Sequence, residues 1–206
     1  MQCSNASCSS GTSNIIDSYG YQPSLALASD DTARVFYSDQ DGANVHFIEC
    51  LDLSCSSTST TVTIQARPGF YYNNPSIAVG AGGLARFVYI TYNDSTQKNE
   101  LNFAQCLTAD CASFSAHKID NQVENTQNAS MVLGSDGFAR IAYSVGGGQT
   151  SFVQCLNASC TSNSASTFNT FITGSLDNPS VALGSDGLPR ILYSDGVQGA
   201  MKYMVC

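Results

Sequence analysis

The 206-residue chain has no tryptophan, two histidines and only eight Lys or Arg, and charged residues make up just 12% of it. Each scarcity excludes something. The basic residues form no cluster, so the phosphate-neutralising patch that nucleic-acid binding needs is missing. The net charge of −8 works against anionic membrane surfaces for the same reason. No run of 18 apolar residues occurs, which is what a membrane-spanning helix would require. The chain is therefore expected to bind no nucleic acid and to insert into no membrane. Met1-Gln2-Cys3 lacks the charged and apolar regions of a secretory leader, and the expectation is that a leader has been removed.

Familiar catalytic motifs are missing too. There is no G-x-S-x-G, no H-E-x-x-H and no phosphate-binding loop. His46 and His117 lie in strand-like runs and read as packed or exposed strand residues rather than bases. The carboxylates sit mostly where turns are expected: Asp31, Asp136 and Asp186, then Asp39, Asp94 and Asp195. Asp bonds its own backbone in turns, which explains them without catalysis.

What is present is a repeat. "PSLALASDDTARVFYSD" begins at Pro23, "PSIAVGAGGLARFVYITYND" at Pro75, "ASMVLGSDGFARIAYSV" at Ala129 and "PSVALGSDGLPRILYSD" at Pro179. The serines at 24, 76, 130 and 180 set a period of 50 to 54 residues. Each unit has a short alternating run, a turn (Gly82-Gly83, Asp136-Gly137, Asp186-Gly187) and an Arg-led β-branched or aromatic run. A third run then ends in Cys: "NVHFIEC", "LNFAQC", "TSFVQC" and "MKYMVC". A Ser/Thr-rich fourth run follows the second Cys of each Cys-x4-Cys pair. Four short strands in about 50 residues is the pattern of a β-propeller blade, with a β-solenoid as the rival.

The repeats resemble bacterial secreted β-propeller repeats of the "PSiAlgsdGlPrisYyd…C…C" type, over essentially the whole chain. The expected fold is an all-β, four-bladed β-propeller with four antiparallel strands per blade, forming a single domain over 1–206. The blades fall at about 23–70, 75–124, 129–175 and 179–206 plus 1–18. The last unit supplies three strands, and "SCSSGTSNIID" (Ser7 to Asp17) matches the missing fourth, so the N-terminal strand is expected to complete the last blade. The Asp boxes of sialidase propellers (S-x-D-x-G-x-T-W) are not matched in spacing and lack their Trp.

Nine cysteines at fixed spacing favour an oxidising compartment and hence a secreted or cell-surface protein. Disulfides are expected at Cys50–Cys55, Cys106–Cys111 and Cys155–Cys160, each contributing on the order of 2 kcal/mol. At the junction two pairings compete. Cys8–Cys206 would staple the termini and leave Cys3 free, whereas Cys3–Cys8 would leave Cys206 odd and open a route to self-association. Closure favours Cys8–Cys206. Zinc is disfavoured by the wide separation of the pairs and the shortage of His.

Arg34, Arg86, Arg140 and Arg190 recur once per unit. They could ring an anion, but their place just after a turn favours pairing with a neighbouring Asp. Tyr37, Tyr89, Tyr143 and Tyr193 read as packing residues with satisfied hydroxyls. No cofactor is expected, although Asp39, Asp41 and Asn44 resemble half of a calcium loop and a channel ion is an alternative. Asn5, Asn93, Asn128 and Asn157 head N-x-S sequons.

The loops leading into the first strands and those after the second should share one face. They carry Tyr19, Tyr21, Tyr71, Tyr72, Asn73, Tyr92 and Asn93, a set suited to sugar faces and hydroxyls. With no catalytic set in view, the chain is expected to be a non-enzymatic binding or adhesion module for a carbohydrate or cell-surface protein. A structural subunit of an extracellular assembly is the first alternative. A polysaccharide-active hydrolase or lyase, which needs two carboxylates in one pocket, is the second.

Overall fold

A computed structural model describes residues 2–3, 7, 9–40, 44–66, 75–93, 95–123, 128–145, 149–168, 179–195 and 200–206. It is all-β among these residues, and four sheets follow one another along the chain. The first is β3 (Gly20–Leu27), β4 (Ala33–Asp39), β5 (Asn44–Glu49) and β6 (Val62–Ala66). The second is β7 (Ser76–Val79), β8 (Ala85–Asn93), β9 (Lys98–Cys106) and β10 (Phe114–Val123). The third is β11 (Ala129–Leu133), β12 (Ala139–Val145), β13 (Gln149–Cys155) and β14 (Asn163–Phe168). The fourth has three strands, β15 (Ser180–Leu183), β16 (Pro189–Asp195) and β17 (Ala200–Val205). Every neighbouring pair is antiparallel and follows chain order, as a propeller-like meander requires.

The turns form where the dipeptides foretell them. Gly83, Gly137 and Gly187 sit at φ of 75°, 76° and 76°, and each amide donates to the carbonyl three residues back. Asp31 holds the same place at φ 62°, without glycine's freedom from a Cβ. After the third strand, Cys50–Cys55, Cys106–Cys111 and Cys155–Cys160 are bonded, with Cα atoms 4.8, 4.7 and 4.7 Å apart. The three disulfides are the chemistry of an oxidising compartment.

The core lies between sheets rather than within any one of them. Side chains alternate across a strand, so the second strand of each unit sends successive residues to opposite neighbours. Phe36, Val45 and Phe47 of the first sheet bury against Ile77, Phe87 and Tyr89 of the second, with the Phe36 and Phe87 rings stacked at 4.3 Å. Val88, Leu101 and Phe103 meet Met131, Ile141 and Tyr143 of the third. Ala142 and Phe152 meet Val181 and Ile191 of the fourth. A hydrogen bond marks each joint. The Ile77, Met131 and Val181 amides donate to Ser24, Ser76 and Ser130 Oγ at 3.2, 3.1 and 3.1 Å.

Two expectations for the ends are corrected. The N-terminal strand does not complete the fourth sheet: β1 (Gln2–Cys3) pairs with β2 (Gly11–Thr12) instead. The segment after it is held on the first sheet, where Ile16 packs against Val35, Tyr37, Ile48 and Cys50 and the Asn14 amide donates to Ser54 O at 3.0 Å. Cys206 is accordingly free and exposed rather than bonded to Cys8. The alternative Cys3–Cys8 pairing lies outside the described residues.

The arginines act as joint and turn ties. Arg34 pairs with Glu49, Arg140 with Asp136 and Arg190 with Asp186, each at 2.7 Å. Arg86 differs. It is 8% exposed and bonds only the Gly137 carbonyl of the next sheet, at 2.7 Å, with no carboxylate on it among the described residues. Gly82 stands where Asp136 stands one repeat later, and a Cβ there meets nothing within 4 Å.

Asp31→Gly and Gly82→Asp should therefore both stabilise. Asp31→Gly removes left-handed strain of about 1 kcal/mol. Gly82→Asp supplies the buried guanidinium with its missing carboxylate, a charge-assisted contact worth about 1.5 kcal/mol. Each should raise the thermal midpoint by about 2–4 °C in calorimetry. A fall in midpoint for either would show that the turn is not under the strain or charge deficit described.

Candidate functional site

The first sheet carries a polar constellation that combines a tyrosine, an imidazole and two carboxylates. Asp17, just before β3, is fixed by the Tyr19 amide on Oδ1 at 2.7 Å and by the Tyr37 hydroxyl on Oδ2 at 2.6 Å. Tyr37 lies opposite His46 across β4 and β5, with ring centroids 5.4 Å apart. His46 Nδ1 lies 3.2 Å from the Thr63 hydroxyl, and its Nε2 lies 3.9 Å from Asp39. Asp39 also takes the Asn44 amide at 3.2 Å and the Asn44 side chain.

Gly20 is what lets these groups converge. It sits opposite Asp39 across β3 and β4, and a Cβ on it would come within 3.1 Å of the Tyr37 ring. A larger residue would push Tyr37 from Asp17. A cavity of about 210 Å³ opens beside them, lined by Ile16, Asp17, Gly20, Pro23, Val35 and Tyr37.

The electrostatics separate structural from chemical roles. The Tyr37 hydroxyl, then the Tyr19 amide, hold Asp17 below the usual carboxylate range, so it is ionised at neutral pH. Burial, then the bond to Asp17, pushes the Tyr37 hydroxyl well above the usual phenol range. The same Tyr–Asp bond recurs between sheets two and three, where Tyr143 donates to Asp120 at 2.6 Å. The pair is thus a general joint element. Among the described residues, only the first sheet places an imidazole opposite the tyrosine. Opposite Tyr89, Tyr143 and Tyr193 stand Asn102, Ser151 and Lys202.

The residues expected to bind a ligand divide between two places. Tyr19 and Tyr21 are exposed and flank the Asp17 constellation. Tyr92 and Asn93 close β8, and the Asn93 amide donates to Glu100 at 2.7 Å. Glu100 is buried and pairs with Lys118 at 3.2 Å. Tyr71, Tyr72, Asn73 and the calcium-loop residue Asp41 lie outside the described residues. Among the described residues no group of three or more His, Cys, Asp or Glu converges as a metal would require. Asp39 and Asn44, the other two members of that loop, bond each other.

Asp17, His46 and Glu100 were not among the expected site residues. His46 reads as a strand residue because its run alternates, and Asp17 falls in a segment expected to be a fourth strand. The available signal was the break in the repeat: one His in a position that is Asn, Ser and Lys elsewhere.

The carboxylates held low set the acid stability. Asp52, bonded by the Ser54 and Ser56 hydroxyls, and Asp136, bonded by Arg140, are depressed like Asp17. A depressed folded-state value means that protons bind the unfolded chain more readily. The stability these groups contribute is complete above the unfolded value near 4 and is lost as pH falls through the folded values. Urea midpoints should be flat above about pH 5 and fall steadily below about pH 4. A midpoint that rises on acidification would contradict these pairings.

No protein-family model matches the chain, and no characterised protein matches it in sequence. Solved structures do match in fold. An exo-β-1,3-galactanase from Phanerochaete chrysosporium, solved with β-1,3-galactotriose, is 14% identical with a TM-score of 0.58, over 85% of this chain and 44% of its own. An α-L-arabinofuranosidase of family GH93 from Fusarium graminearum, solved with arabinobiose, is 14% identical with a TM-score of 0.58, over 91% of this chain and 57% of its own. A GH43_1 enzyme from Xanthomonas citri is 10% identical with a TM-score of 0.57, over 91% of this chain and 70% of its own. The chain thus spans about half the length of the galactanase and the arabinofuranosidase. At these identities the likeness establishes the fold. It also corrects the expectation of a non-enzymatic binding or adhesion module, because the solved chains that share the fold are carbohydrate-active enzymes.

Proposed function

We propose that this chain is the propeller-like core of a secreted, polysaccharide-active glycoside hydrolase. Its four repeat units are read as blades akin to the bacterial secreted repeats that the sequence resembles. The observation that carries the reading is the Asp17–Tyr37–His46–Asp39 constellation on the first sheet, in a fold shared with several carbohydrate-active enzymes. Glycoside hydrolysis needs one carboxylate to act as nucleophile or base and a second group to carry a proton. Asp17, held ionised, suits the first role. Asp39 with His46 forms the only carboxylate–imidazole pair among the described residues and suits the second.

The net charge of −8 favours neutral glycans over acidic ones. Arabinan and β-1,3-galactan are the first substrates to consider, since the solved enzymes of this fold were captured with arabinobiose and β-1,3-galactotriose. Exposed Tyr19 and Tyr21 would supply stacking faces beside the cavity.

Reducing-end release from arabino-, galacto- and xylo-oligosaccharides tests the reading. Asp17→Asn and Asp39→Asn should each lower kcat/KM by about 100-fold or more. Asp120→Ala removes the equivalent acceptor of the Tyr143 hydroxyl elsewhere, so it should cost stability and leave activity intact. No hydrolysis on any of these substrates, or full activity in Asp39→Asn, would overturn the assignment.

A further inference from the structure

Three joints in this chain are built alike, and the two ends expose the two halves of a fourth. Within the chain, Ile77, Met131 and Val181 of the first strands are buried against the preceding sheet. Leu25 holds the same position in the first sheet and is 61% exposed. On the opposite faces, Phe36, Val88 and Ala142 are buried against the following sheet, as are Phe47, Phe103 and Phe152. Their counterparts in the fourth sheet are Leu192 and Tyr203, and Tyr203 is 65% exposed. Met201, which stands where Val45 and Leu101 are wholly buried, is 78% exposed. Apolar surface left in this contiguous form marks an interaction site.

Polar markers match as well. Ser24, Ser76 and Ser130 each accept the amide of the next unit, which among the described residues leaves Ser180 as the unmatched acceptor and the Leu25 amide as the unmatched donor. The strand counts are also complementary. Among the described residues the fourth sheet has three strands, one fewer than each of the other three. Asp17 rests on Tyr37 as Asp120, from the outer strand of the second sheet, rests on Tyr143. The segment at Asp17 thus sits on the first sheet as an outer strand sits on the sheet that follows it. Beside it lies an apolar groove of about 440 Å³, whose lining includes Ile16, Leu25, Leu27, Val35 and Leu53.

We infer that the fourth sheet of one molecule docks on the first sheet of a second copy of this chain, head to tail. Both faces are exposed on the same folded chain, and each presents what the other's counterpart buries at the internal joints. Each new joint repeats the three internal ones: Leu192, Met201 and Tyr203 cover Leu25 and Leu27, and Ser180 accepts the partner's Leu25 amide. Two such joints close a ring of two chains and about eight blades, within the four-to-eight range of propellers. Each composite blade takes three strands from one chain and its outer segment from the other. The inference is independent of the hydrolase reading.

Native mass spectrometry and light scattering on a Cys206→Ser background, which removes disulfide dimers through that thiol, test it. Twice the chain mass of 21.7 kDa is expected. Leu25→Asp and Tyr203→Asp, both at exposed positions, should each give a folded monomer with unchanged circular dichroism. Mixing the two variants should restore a heterodimer, because one joint then has both faces intact. A monomer in the unsubstituted chain at high concentration, which is also the outcome of closure within one chain, would overturn the inference. So would a dimer insensitive to either variant.

Discussion

The structure depends on one constraint: each sheet's second strand is apolar on both faces. Such a sheet cannot face water on either side without exposing aromatic or branched side chains, so it needs a neighbour before and after it. Phe36 and Tyr37 are adjacent in sequence, yet one packs on the second sheet and the other on the segment from Ile16 and Asp17. The same division runs through Phe87 and Val88, and through Ile141 and Ala142. Stability is therefore a property of joints, as in other repeat architectures where the terms are nearest-neighbour contacts.

Given that constraint, the local devices only have to aim each sheet at the next. A positive-φ residue reverses the chain, a disulfide fixes the third-to-fourth turn, and an arginine ties the strand to its turn or to the neighbouring sheet. The serine hydroxyl then sets the height at which one sheet meets the next. Where the repeat departs from these devices, something else is being served. Asp31 and Gly82 are departures for which no compensating contact is seen among the described residues. His46 is a departure that brings an imidazole to Tyr37 and Asp39. Natural sequences break their own local rules most often at functional sites.

Much of the fold was legible in the sequence for a physical reason. Turn chemistry and side-chain alternation are local, so Gly137, Arg140 and the Cys-x4-Cys pairs announce their elements directly. The partner of an edge strand is not local. Ser7 to Asp17 matches a fourth strand; Asp17 lies in no strand, but it takes the Tyr37 hydroxyl as Asp120 of an outer strand takes that of Tyr143. The match does not say which three strands lie beside it, because backbone hydrogen bonding is the same for any edge. The expected Cys8–Cys206 bond failed with that assumption. The candidate site was harder still. Asp17, Tyr37, Asp39 and His46 come from three segments with no fixed spacing, so a motif search passes over them. Loop position alone does not say which sheet a tyrosine serves: Tyr19 and Tyr21 reach the site, whereas Tyr92 closes β8.

The location of the constellation adds a consequence for chemistry. Asp17 and Tyr37 lie on a joint face and bond as the part-buried Asp120–Tyr143 pair does. Whatever packs against that face removes water from it, and charges interact more strongly as the effective dielectric falls. In this architecture the environment of the carboxylates is therefore set by the neighbouring sheet as much as by their own strands. A site so placed ties the strength of its acid–base groups to completion of the joint, because the packing that stabilises the fold also desolvates the reacting groups.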